Sequence, residues 1–158
     1  MQGTVETKTI RNQTETARPT GFIEQPYDIE PAGPLTLSGR IQSFRYAARG
    51  VRLMLRSQHN AWLHAVASCF VLIVGGLFML TDAEWCWIVL AIMAVWTAEA
   101  LNTALEFLAD VASPEFHPLV GKAKDVAAGG VLIAAGGSVI IALLVLGPHL
   151  LNWFRSLQ

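Results

Sequence analysis

Residues 85–110, WCWIVLAIMAVWTAEALNTALEFLAD, constrain the fold more than any other stretch. They are apolar enough to cross a bilayer, yet their second half carries Glu99, Asn102, Thr103, Glu106 and Asp110. A charged side chain at the centre of a bilayer costs roughly 2.5–3.5 kcal/mol on insertion scales, so such residues face a protein interior or a watered site. Glu99, Asn102, Glu106 and Asp110 advance by three, four and four, which puts them on one face of an α-helix. Ile88, Leu90, Ala91, Met93, Leu101, Leu105 and Leu108 fill the other faces. A polar seam that only holds helices together is the plain alternative. Three acids with few bases nearby argue instead for chemistry or ion handling.

The rest of the chain fits a membrane setting. Mean hydropathy is +0.46 and only 15% of the 158 residues are charged, which excludes an ordinary water-soluble domain. Leu63–Leu80 forms a further apolar span and Val126 to about Leu146 another, each near the ~20 residues that cross the hydrocarbon. Thr81, Asp82, Ala83 and Glu84 read as a tight polar turn between the first two. Residues 1–38 hold four prolines and few apolar side chains, and are expected to be a disordered tail. They lack the apolar stretch of a secretion signal. A membrane-embedded unit is expected over 39–150 and a short tail over 151–158. Cys69 and Cys86 sit in or beside apolar spans and read as small apolar residues rather than a metal pair or a disulfide.

Between tail and spans, Arg45, Arg49, Arg52 and Arg56 form a basic stripe beside Ile41, Phe44, Ala48, Val51 and Leu55. That pattern suits a helix lying on an anionic membrane face. The fold class is therefore all-α integral membrane, an N-terminal amphipathic surface helix plus three transmembrane helices. Arginines before the first span, with Lys122 and Lys124 between the second and third, put the N-terminus and the 111–125 loop in the cytoplasm of a multi-pass plasma- or inner-membrane protein. Glu106 and Asp110 then lie near that interface, with Glu99 about 10 Å deeper. The loop itself carries Glu115, His117, Lys122, Lys124 and Asp125. A lysine ammonium beside the acidic row suits a phosphate-and-metal site. Gly129 and Gly130 are better read as helix packing than as a nucleotide loop, because no phosphate-loop pattern surrounds them.

Glu-Ala-Leu-Asn-Thr-Ala-Leu-Glu-Phe-Leu-Ala-Asp at 99–110, Pro-Glu-Phe-His-Pro-Leu at 114–119 and Gly-Lys-Ala-Lys-Asp at 121–125 closely resemble the small prokaryotic diacylglycerol kinase family, which includes undecaprenol kinases. The resemblance covers about residues 43–147. It implies a kinase that moves the γ-phosphate of ATP, with Mg²⁺, to the hydroxyl of diacylglycerol or undecaprenol, and a homotrimer with shared active sites. No nucleic-acid partner is expected. By position, Glu99 corresponds to the proton acceptor, Glu106 to a magnesium ligand, and Asn102 and Asp110 to supporting polar positions. Tyr46, Glu115, Phe116, His117, Lys124 and Asp125 correspond to nucleotide contacts. Gln58 departs from the pattern, standing where a second metal-binding Glu is usual. Its carboxamide offers an oxygen without charge, so a catalytically weakened member is a further reading. An ion- or proton-coupled membrane protein is the rival from another class, though it would not need the loop's Glu115–His117 and Lys124–Asp125.

Overall fold

The structure, a computed structural model, describes residues 37–115 and 117–158. Nearly all of the expected N-terminal tail, and Phe116, lie outside the described residues. Four helices follow in chain order: α1 Leu37–Ser57, α2 His59–Leu77, α3 Asp82–Ala112 and α4 Pro118–Ser156. Every regular element among the described residues is an α-helix. The last three are each long and apolar enough to cross a membrane. At 1.5 Å per residue, α3 extends about 46 Å and α4 about 58 Å, longer than the ~30 Å hydrocarbon, so both project into an interface.

α4 packs along α3 over most of its length, and α2 touches α3 more lightly. The buried core is small: Leu80, Ile88 and Leu146, backed by Val71, Val74, Phe78, Trp85, Ile92 and Val145. Large apolar side chains such as Trp62, Phe70, Leu101, Leu132 and Leu143 point outward. In water such a surface would drive association; in lipid it is matched to its solvent.

The helix ends differ from the sequence-based expectation, for local reasons. α2, the first expected span, stops at Leu77 rather than Leu80, because Phe78 and Met79 make an apolar turn that a hydropathy scan reads straight through. Met79 adopts φ 52°, and the Met79 and Leu80 amides donate back to the Gly76 and Gly75 carbonyls, closing the helix. Gly75 leaves little room at this turn. A Cβ at that position would lie 3.0 Å from both Leu80 Cδ1 and Trp85 Cη2.

The expected turn at 81–84 is instead the N-cap and first turn of α3. The Thr81 hydroxyl accepts from the Glu84 amide, and the Glu84 carboxylate accepts from the Thr81 amide at 2.8 Å, a reciprocal capping box. Glu84 also meets His149 of α4 at 2.8 Å, and the His149 ring stacks on Phe78 at 5.8 Å.

α4 begins at Pro118, eight residues before the expected span, with Pro118 in the first turn and the His117 ring accepting from the Leu119 amide. It continues through Pro148 to Ser156, so most of the expected 151–158 tail is helical. The glycines of α4 do not make the expected close packing within this chain: a Cβ at Gly129, Gly130, Gly136 or Gly137 would meet nothing within 4 Å. Close approach to α3 falls to Ser138, whose hydroxyl donates to the Ala91 and Ala134 carbonyls at 2.9 Å each.

Candidate active site

The polar row on α3 passes through three environments. Glu99 is 1% exposed, Asn102 6% and Thr103 3%, so the inner end is sealed by protein. Thr103 is anchored by donating its hydroxyl to the Glu99 carbonyl at 2.8 Å. Neither Glu99 carboxylate oxygen has a hydrogen-bond partner among the described residues, and the same holds for Asn102 Oδ1. Across from Glu99, His64 of α2 brings its Nε2 to 3.9 Å from Oε2.

One turn outward, Glu106 is gripped from both sides. Its Oε1 accepts from Asn102 Nδ2 at 3.2 Å, an i to i+4 contact along α3. Its Oε2 accepts from Gln58 Nε2. Gln58 can reach because it is the N-cap residue of α2, extended at φ −110° and ψ 118°, and its side chain is not used to cap that helix. α2 enters the bundle beside this level of α3, with Met54 and Ala61 buried on either side of Gln58.

At the outer end, Asp110 pairs with Lys124 of α4 at 2.5 Å. Both side chains are well exposed, and such pairs contribute about 0–1 kcal/mol to stability. The pair positions the lysine at the mouth of the acid row rather than strengthening the fold.

Three comparisons with known proteins bear on this arrangement. The family profile described as prokaryotic diacylglycerol kinase matches residues 45–146. The undecaprenol kinase of Bacillus subtilis (strain 168) is 43% identical over 109 residues, covering 69% of this chain and 89% of that protein. The diacylglycerol kinase of Synechocystis sp. is 32% identical over 148 residues, 89% of this chain and 85% of that protein. The chain belongs to the prokaryotic diacylglycerol kinase family. It is a membrane lipid kinase, and ATP is the phosphoryl donor that a kinase takes.

Of the residues singled out by sequence, the structure brings together Gln58, Asn102 and Glu106, sets Glu99 deeper, and joins Lys124 to Asp110. Tyr46 is on α1, its hydroxyl accepting from Gln42 at 3.0 Å and its ring facing the Arg49 guanidinium at 5.8 Å. Glu115 and His117 are exposed in the α3–α4 connection, where Ser113 donates to the Glu115 carbonyl at 2.8 Å and His117 caps α4. Within this chain no hydrogen bond or ion pair among the described residues ties Glu115, His117 or Asp125 to the Glu106 cluster. Sequence reasoning did not pair His64 with Glu99, because nothing in a linear pattern sets the register between two helices. The Thr81-x-x-Glu84 spacing is a capping-box signal that the reading of 81–84 as a turn passed over.

Proposed function

We propose that this lipid kinase transfers the γ-phosphate of ATP, as its Mg²⁺ complex, to undecaprenol in preference to diacylglycerol. The lipid preference follows the relative identities: 43% to the Bacillus subtilis undecaprenol kinase against 32% to the Synechocystis diacylglycerol kinase. The observation that carries the mechanism is the graded row itself, a sealed carboxylate at Glu99 and an amide-gripped one at Glu106 about 10 Å further out. The lipid hydroxyl and the γ-phosphate meet between them. Glu99 takes the hydroxyl proton as the lipid oxygen bonds to phosphorus, the bond to the bridging oxygen breaks, and ADP leaves. Lys124 is placed to draw phosphate oxygens in.

The donor set fits magnesium bound with a nucleotide. No group of three or more His, Cys, Asp or Glu forms a metal cage among the described residues. Mg²⁺ commonly uses only one or two carboxylates, with phosphates and waters completing its octahedron. Glu106 would supply the anionic oxygen, and the Gln58 carbonyl oxygen a neutral one. When bound, the ion neutralises phosphate charge during transfer. The lack of any hydrogen bond or ion pair from Glu115, His117 or Asp125 to Glu106 among the described residues is compatible with the homotrimer with shared sites that the family resemblance implies. The basic residues of α1 and Lys122 and Lys124 support a cytoplasmic N-terminus and α3–α4 connection.

The test is phosphate transfer from radiolabelled ATP to undecaprenol and to diacylglycerol, offered separately in mixed micelles. Undecaprenol is expected to react faster. Glu99→Gln and Glu106→Gln should each lose at least about a hundredfold in rate while keeping helical content and elution volume. Near wild-type rates in either folded variant would defeat the assignment.

A further inference from the structure

Glu99 raises a problem that the transfer step leaves open. Each turnover adds one proton, from the lipid hydroxyl, to a carboxylate that is 1% exposed and has no hydrogen-bond partner among the described residues. The buried carboxylate leaves bulk water almost no surface on which to collect that proton directly. The titratable group facing it from a neighbouring helix is His64, whose side chain is 15% exposed and therefore reaches past the seal. The 3.9 Å separation is longer than a hydrogen bond. It is also shorter than the roughly 4.5 Å that a bridging water needs, given two bonds of about 2.8 Å. A small side-chain rotation therefore closes the contact directly.

Among the described residues, the other faces offer no competing titratable acceptor. The imidazole lines a cavity of about 160 Å³ between α2, α3 and α4, whose remaining walls include Ser68, Ile88, Val95, Ser138 and Val139 and no other titratable side chain. α3 itself presents Glu106, whose two oxygens already accept from Asn102 and Gln58.

We infer that His64 relays the proton of the acceptor hydroxyl from Glu99 to water at the N-terminal end of α2. The proton passes from Glu99 to Nε2, and the proton on Nδ1 leaves to water. The carboxylate is thereby reset as a base, and the net product is one proton released per phosphate transferred. His64 acts through Glu99 and is a positioning residue in this scheme. The inference rests on Glu99 being the base.

The test is chemical rescue. His64→Ala should lower kcat on the order of ten- to a hundredfold, with KM for ATP unchanged. Imidazole added to the assay should restore much of the lost rate in a saturable manner, because the truncated side chain opens onto the cavity. Pyrrole, of the same size but without a basic nitrogen, should not. Wild-type kcat in His64→Ala, failure of imidazole to restore a folded variant, or equal restoration by pyrrole would each overturn the relay. Should the alanine variant not fold, His64→Gln takes its place, expected to show the same kcat loss, with wild-type kcat overturning the relay. Glu99→Gln measured alongside separates the two claims: a wild-type rate there defeats the base, whereas an inactive Glu99→Gln with a fully active His64→Ala defeats only the relay.

Discussion

Gln58→Glu tests the proposed metal assignment most sharply, because on that assignment the substitution has opposite effects with and without magnesium. In the chain as it stands, Gln58 donates to Glu106 and adds no charge. A glutamate there removes the donor and sets two carboxylates against each other. A hydrogen bond to a charged group contributes about 1.5–3 kcal/mol. Two like charges about 4 Å apart repel by about 4 kcal/mol at an effective dielectric near 20, before solvent and rearrangement reduce it. Both residues are half-buried, so a metal-free loss of roughly 2 kcal/mol is the reasonable expectation. With Mg²⁺ present the same added charge becomes an attraction. After desolvation it amounts to about 1–2 kcal/mol, near a tenfold gain in metal affinity. The assay is a Mg²⁺ titration of lipid phosphorylation at fixed ATP, paired with thermal unfolding in chelator and in saturating Mg²⁺. The variant should reach half-maximal rate at about a tenth of the wild-type Mg²⁺ concentration. It should also unfold earlier in chelator, with the deficit closing in Mg²⁺. An unchanged midpoint, with no Mg²⁺-dependent recovery of stability, would place Gln58 outside the metal site and refute the reasoning.

Two further outcomes are expected. Gly75→Ala puts a methyl 3.0 Å from Leu80 Cδ1 and Trp85 Cη2, so it should destabilise the protein by about 1–3 kcal/mol, read as a lower unfolding temperature in detergent; unaltered stability would mean that the α2–α3 turn is looser than its contacts imply. A cysteine at Ala83, in a background without Cys69 and Cys86, should react with an impermeant thiol reagent added outside the cell; protection there with labelling at Val120 would invert the proposed topology.

The spans were legible because hydrophobicity and length act locally: about twenty apolar residues announce a crossing wherever they occur. Their ends were less so. Phe78 and Met79 are apolar in a turn, and 118–125 are polar in a helix, so hydropathy misplaces both boundaries. The sharper signals were chemical: Thr81 three residues before Glu84, and Pro118 after a ring that can accept a hydrogen bond. The acid row was legible from its period on α3. Its partners were not, since Gln58 with Glu106, His64 with Glu99 and His149 with Glu84 each depend on how one helix slides against another. Gln58 was reached only through the family resemblance.

Depth explains why the partners along the row differ. From Glu99 to Asp110 the helix rises about 16 Å, enough to pass from the sealed interior to an exposed end. At the outer end Asp110 is 65% exposed and takes an ammonium partner, which water helps to solvate. At Glu106, half-buried, the partners are two neutral carboxamides that hold the carboxylate in place without cancelling its charge. A lysine at that level would neutralise Glu106 and leave little attraction for a divalent cation. A second acid would repel it until a cation arrived. On the proposed metal assignment, a carboxamide at position 58 would keep the site ordered before a metal binds, at the expense of affinity once it does. That trade predicts that wild type retains its unfolding temperature in chelator while Gln58→Glu does not, and the Mg²⁺ titration and unfolding measurements above test both sides of it.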